Sequence, residues 1–257
     1  MNFKLALYRT EALILRSRKY MEADSLLTLL TKSKGKVSAI AKGVRKPTSR
    51  LRGGVQLFTQ NDMLLYKGRN LDIVTQSQCL EAFTLMQEDI KALTAAAYWS
   101  ELLDALTVEG EADLDIFNLA LAGFHVLSLS TTELTVRALE IKLLAIIGFT
   151  PCLDKCVSCG EILTDNKEIS FSSRQGGVIC HSCTGLQGVN IAKDFSYEAL
   201  NIWQQLQRMD LAKIRRLKMT LRGSSILEKS IGDFLMEQIE YPLKSRSIMK
   251  EMIQDSE

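Results

Sequence analysis

The sequence predicts an α+β, multi-domain chain: an N-terminal β-barrel, then an all-α domain that carries an inserted four-cysteine knuckle. Three observations predict it. Short apolar runs bounded by turn residues fill residues 9 to about 82. Beyond them, apolar residues recur at helical spacing. Two Cys-x-x-Cys pairs then interrupt the helical half. The expected boundaries are 1–82 for the barrel, 83–257 for the helical domain and about 151–188 for the insertion.

The barrel reading rests on five segments. "TEALILR" and "SLLTLLT" are short runs rich in Leu and Ile, and "KVSAIAKG" partly alternates, with Val37, Ala39 and Ala41 on one side. "VQLFTQNDMLLYKG" and "NLDIVTQSQCLEAF" follow, the latter placing Cys79 at a strand end as a small buried residue. Ser33–Lys36 and Lys67–Asn70 are turn signals between strands. Five short strands at this spacing suit a small barrel. The stretch from Gly43 to Gly54 has Pro47 and many cations, and reads as a mobile loop held off the core. Several of the barrel half's aromatics, Phe3, Tyr8, Tyr20, Phe58, Tyr66 and Phe83, are expected in the core.

The period then changes. Leu93, Ala96, Ala97, Ser100, Leu103 and Leu106 mark one helix face. "DLDIFNLALAGFHVLSLS" and "TELTVRALEIKLLAIIGF" predict two more helices, with Asp113 and Thr132 as N-caps and Gly148 as a stop. "SYEALNIWQQLQRM", "LAKIRRLKMTLR" and "SSILEKSIGDFLMEQIE" predict a further three.

Charge is unevenly placed. The net charge is +2, but residues 1–52 hold 13 Lys/Arg against 3 Asp/Glu, and the remainder holds 19 against 27. Lys32–Arg52 contains eight cations and no acid. Such asymmetry points to a polyanion partner for the N-terminal part, set against a merely solvated basic face. Lys36, Lys42, Arg45, Lys46, Arg50 and Arg52 are the expected contact residues. In the net acidic helical half, Arg215, Arg216, Lys218 and Arg222 could meet an acidic partner segment, or form a solvated face.

Cys156, Cys159, Cys180 and Cys183 have the spacing of a four-thiolate zinc site. Gly160 suits the turn after the first pair, and "EISFSSRQGGVIC" reads as a hairpin turning at Gly176–Gly177. A closed shell leaves no open position, so one structural Zn2+ is expected rather than a catalytic one. An iron–sulfur cluster uses the same donors. Cys152 is read as a bystander thiol, and His181 as unneeded by the shell. The chain contains no phosphate-binding loop, no dinucleotide fingerprint, no nucleophile elbow and no His-Glu-x-x-His. No run of 18 apolar residues occurs. With no export signal, the cytoplasm is the expected compartment.

Four blocks resemble the RecO family of bacterial recombination mediators. The first runs from "TEALILR" through "AKGVRKPTSRLRG" to "MLLYKG". The others are "LEIKLLAIIGFTPCLDKCVSCG", "FSSRQGGVICHSC" and "YPLKSRSIM", the last resembling the end of the family's final helix. The resemblance implies an oligonucleotide-binding (OB) barrel, a helical domain and a zinc knuckle. It implies a nucleoid-associated protein without a catalytic centre that binds single- and double-stranded DNA and anneals strands. It also implies work with RecR and single-strand DNA-binding protein (SSB), and indirectly RecA. A zinc-ribbon adaptor with protein partners only, or a cysteine-based redox enzyme, are the alternative readings of the residues.

Overall fold

The computed structural model describes residues 7–163, 168–184 and 195–254. Phe3 and the expected end of the insertion at Gly188 lie outside them. The chain divides into two compact units, Met1–Thr131 with Leu243–Glu257, and Thr132–Pro242.

The first unit is built on a closed five-stranded barrel of β1 (Leu7–Tyr20), β2 (Asp24–Thr31), β3 (Gly35–Ala41), β4 (Gln60–Tyr66) and β5 (Asp72–Glu81). The strand order is β1-β2-β3-β5-β4, closing back on β1, with only β3 and β5 parallel. This is the OB arrangement that the sequence led us to expect. β1 is long because it serves two partners. Leu7–Leu13 pairs with β4, and Ala12–Tyr20 with β2. An irregularity between Ile14 and Arg16 bends it from one to the other. Ala12, Ile14, Leu27, Leu29, Ala39, Ala41, Met63, Leu65 and Val74 fill the interior. Leu13 and Leu15 are also buried, on the opposite side of β1, where a helix lies against the strand. Burial on both faces is why "ALIL" reads as a continuous run rather than an alternation.

Three helices follow in this unit: α1 (Thr84–Glu88), α2 (Ile90–Leu106) and α3 (Leu114–Leu129). Asp89 caps α2 and Asp113 caps α3, each carboxylate accepting two backbone N–H groups. α1 carries no sequence signal of its own. The predicted single face of α2 was too narrow, because Tyr98, Trp99 and Leu102 are buried as well. The α2–α3 connection docks on β3: Gly110 N–H donates to the Lys36 carbonyl at 2.9 Å. α8 (Ser245–Gln254) also belongs to this unit and packs on α2. "YPLKSRSIM", likened to the end of the final helix, instead leads into the start of the last described one. The preceding helix stops at Met236, Pro242 separates the two, and a new helix starts at Ser245.

Two expectations for the barrel need correction. Residues 55–59 are not strand. Phe58 is buried with φ of 59°, a left-handed turn conformation that ends any regular ladder there. Cys79 is exposed rather than buried, because β3 pairs with β5 only at Asp72 and Ile73. The later part of β5 thus has a strand neighbour on one side alone.

The second unit contains α4 (Glu133–Ile146), the hairpin β6 (Ile169–Ser172) and β7 (Gly177–Cys180), α5 (His181–Thr184), α6 (Tyr197–Arg208) and α7 (Leu221–Met236). Thr132, Ser196 and Thr220 cap α4, α6 and α7. Gly148, at φ of 89°, ends the first of these. "LAKIRRLKMTLR" is not one helix. Leu211–Arg216 forms a 3-10 helix, and the backbone is extended at Leu217 and Thr220 before α7 begins. In the 3-10 helix Ile214 is the buried side chain, which is too little apolar face to hold an α-helix. No helix among the described residues is long and apolar enough to cross a membrane.

Candidate metal centre and nucleic-acid interface

The four cysteines converge. The Sγ atoms of Cys156, Cys159, Cys180 and Cys183 all lie within 4.8 Å of one another. Each knuckle has a local cause. Gly160, at φ of 78°, turns the chain so that its N–H returns to the Cys156 carbonyl at 2.9 Å. The β6–β7 hairpin, turning through Gly176 at φ of 71°, delivers Cys180, and one turn of α5 delivers Cys183. The two halves are joined by Val157 N–H to the Val178 carbonyl, 2.9 Å. The hairpin is set into the helical unit by Phe171, whose ring lies 5.0 Å from that of Trp203.

The donor set suits a thiophilic metal. The Cys159–Cys180 sulfur separation is 3.7 Å. A tetrahedron with metal–sulfur bonds of ~2.3 Å has edges of about 3.8 Å. The Cys180 N–H also points at the Cys156 sulfur, 3.4 Å away. Burial opposes ionisation of Cys156, but amide donors from Cys180, Cys159 and Ser158 outweigh it and bring the thiol down to about 6. Cys156, Cys180 and Cys183 are buried, while Cys159 is exposed. The four residues can thus hold a metal ion, each offering one sulfur. Cys152 lies outside the set, its thiol turned to Asp154 Oδ1 at 3.3 Å. His181 pairs at the surface with Glu168, 3.1 Å.

The six cations proposed as a polyanion surface do not share one environment. Lys42, Arg45, Lys46, Arg50 and Arg52 are exposed on the β3–β4 connection. Lys36 is drawn in. Its ammonium lies 3.3 Å from Asp104 Oδ1 and donates to the Asp104 backbone carbonyl, with only 17% of the side chain exposed. Asp104 also takes Arg16, at 3.2 Å. It sits in the last turn of α2, where an acid opposes the helix dipole, and the two barrel cations offset this.

The β3–β4 connection is not held off the core, as its composition led us to expect. Val44 and Val55 are buried in the barrel core and Leu51 packs against it. Successive turns tie the backbone: Lys46 N–H to Gly43 O, Ser49 N–H to Lys46 O and Gly54 N–H to Leu51 O, at 3.0–3.1 Å. Asp24 accepts from Gly43 N–H at 2.7 Å. Arg45 reaches the Glu22 carbonyl at 3.1 Å, so the loop is fastened to the β1–β2 turn. The apolar residues that anchor it were in the sequence, but spaced without a period. Among the aromatics, Phe58 and Phe83 are core, while Tyr8, Tyr20 and Tyr66 are half-buried. A depression of about 220 Å³ on the barrel is lined by Arg9, Asp62, Leu64, Gln76, Ser77 and Gln78. Arg9 is already paired with Asp62 there.

Comparison with known proteins agrees with this construction. Residues 4–83 match the family "Recombination protein O N terminal", and residues 87–247 match "Recombination protein O C terminal". The DNA repair protein RecO of Alkaliphilus metalliredigens is 38% identical over 236 residues, covering 91% of this chain and 94% of the relative. That of Desulforamulus reducens is 35% identical over 242 residues, covering 94% and 92%. That of Heliobacterium modesticaldum is 38% identical over 232 residues, covering 88% and 85%. With both halves matched, and relatives this similar along nearly the whole length, the chain belongs to the RecO family of DNA repair proteins.

Proposed function

We propose that this chain is a non-enzymatic recombination mediator that binds single- and double-stranded DNA through the barrel and anneals complementary strands. With RecR it would help load RecA onto SSB-coated DNA, in the cytoplasm at the nucleoid. The observation that carries this reading is the set of five exposed cations on a fastened loop of a closed OB-type barrel. A loop already ordered loses little conformational entropy on binding. Its guanidinium and ammonium groups suit phosphate oxygens rather than base edges, so sequence preference is weak. Lys42, Arg45, Lys46, Arg50 and Arg52 form the DNA surface, and Lys36 contributes less because Asp104 already neutralises it. The four-cysteine centre holds one structural Zn2+ that stabilises the knuckle. The helical unit carries the surfaces that meet RecR and SSB.

Fluorescence anisotropy across a salt series tests the surface. Each phosphate left without a cation reduces the slope by about 0.7 on single strands. Arg45→Ala with Lys46→Ala should weaken all sequences alike and flatten the slope by roughly 1 to 1.5. Annealing of complementary strands should fall in step. Parental affinity and slope in the double variant would place the DNA path elsewhere.

A further inference from the structure

Basic character is not confined to the barrel. Lys213, Arg215, Arg216, Lys218 and Arg222 lie in a stretch, 211–227, that has no acidic residue. All five side chains are exposed, and no ion pair among the described residues engages them. The backbone beneath them is fixed at both ends. Ile214 is buried, and Lys213 N–H and Leu217 N–H close turns on Asp210 and Ile214 at 3.0 and 2.9 Å. At the far end the Glu198 carboxylate takes Thr220 N–H at 2.8 Å and Thr220 Oγ1–H at 2.6 Å. Gly223 allows that approach: a Cβ there would lie 2.3 Å from Glu198 Oε2.

The spacing of the cations is the informative feature. Lys213 and Arg216 are one 3-10 turn apart, about 6 Å along the axis. Arg216, Lys218 and Thr220 are exposed in alternation with half-buried Leu217 and Met219. Residues two apart on extended backbone are separated by about 6.6 Å. Lys213, Arg216 and Lys218 thus stand at a nearly constant stride over an apolar footing, with Arg215 and Arg222 adjoining them in sequence. A repeated anion fits such a row. No acidic residue within 211–227 would repel such an anion.

We propose that Lys213, Arg215, Arg216, Lys218 and Arg222 form a second nucleic-acid track, which holds the phosphate backbone of a second single strand. The proposal rests on the reading that the barrel loop holds the first. Annealing requires two like-charged strands on one protein, and a separate cationic track for each offsets their repulsion.

The test uses the full-length chain and two thymidine-only oligonucleotides, which cannot pair, carrying donor and acceptor dyes. Native mass spectrometry counts strands per chain, and energy transfer reports co-occupancy. The parent should hold two strands. Arg215→Ala/Arg216→Ala/Lys218→Ala should bind the first within about 2-fold of the parent, and the second at least ~10-fold more weakly. The salt slope for the second strand should fall by about 2, because three phosphates go without a cation. Arg215→Lys/Arg216→Lys, which keeps the charge, should retain it. Unchanged circular dichroism and metal content show that the alanine variant is folded. A triple variant that holds the second strand as the parent does overturns the proposal. So does one that keeps the second strand but no longer binds an oligo-aspartate peptide, which would assign the row to an acidic protein partner. A parent that binds one strand and never two defeats this proposal alone. A parent that binds none defeats the barrel reading as well.

Discussion

At the scale of single residues, the chain shows why like residues in one sequence run can have unlike roles. Lys36 lies at the start of β3 and Lys42 just past its end, yet one is committed to Asp104 and the other is exposed at the surface. Lys36→Ala should therefore leave the salt slope for DNA almost unchanged, whereas Lys42→Ala should lower it by about 0.7, in the same anisotropy titration. Equal effects would mean that DNA displaces Asp104. The distinction was not legible in the sequence, because Asp104 lies 68 residues away from Lys36. The cysteine set was legible, because both knuckles are local and each brings its own glycine turn. Cys180→Ser should lower metal content and thermal stability together, while Cys152→Ser should leave metal content at the parental level. Metal analysis by mass spectrometry with a parallel melting curve checks both. A fall in metal for Cys152→Ser would make that thiol a ligand.

At the scale of elements, the junctions depend on close approach and on caps supplied from afar. Gly35 sits at φ of 64°, and a Cβ there would lie 1.8 Å from the Glu111 carbonyl oxygen. Gly35→Ala should cost about 1–3 kcal/mol from the left-handed backbone alone, and more from the clash with the α2–α3 connection. Chemical denaturation would measure it, and a neutral result would show that this connection is free to move off β3. The start of α8 depends on Glu101 of α2, whose carboxylate accepts from Lys244 N–H, Ser245 N–H and Ser245 Oγ–H. Partial burial opposes the charge, but these donors outweigh it and hold the group below the ordinary glutamate range. Its stabilisation is thus fully present above the unfolded-state value and is lost as pH falls through the lowered folded value. Amide exchange in α8 should speed up in that acidic window for the parent. In Glu101→Gln it should be faster already at neutral pH and less sensitive to acid. Identical profiles would remove Glu101 from this role. Residues 241–249 were visible as part of a family block, but neither a separate helix over Ser245–Gln254 nor its return to the first unit was. Capping across 144 residues leaves no local pattern.

At the scale of the whole molecule, the sequence suggests a cut after residue 82, where strands give way to helices. The buried surface argues that the barrel does not stand alone. Leu13 and Leu15 are 0% and 4% exposed, on the side of β1 opposite the barrel interior. Phe58 and Phe83 lie against Phe124 of α3, with ring centroids 6.1 and 5.6 Å apart. Fully burying a side chain of this kind contributes about 1.5–3 kcal/mol, and the three that remain in a chain ending at residue 82, Leu13, Leu15 and Phe58, are together comparable to the whole stability of a small domain. The cut also removes Asp104 from Arg16 and Lys36, and takes away the Glu111 backbone on which Gly35 is seated. A chain ending at residue 82 should therefore be poorly soluble, bind a hydrophobic dye and melt without a cooperative transition. A chain ending at Thr131 keeps α2 and α3 but still lacks α8 and the residue stretch before it, where Leu243, Met249 and Ile253 are buried. It should fold, with a lower melting temperature than the same unit in the full protein. Adding residues 243–257 as a separate peptide should recover part of that difference, because α8 contributes its apolar face without needing the second unit in between. Calorimetry on the three chain lengths decides the matter. A soluble 1–82 chain with native-like circular dichroism and a sharp transition would show that the helices only decorate a self-sufficient barrel.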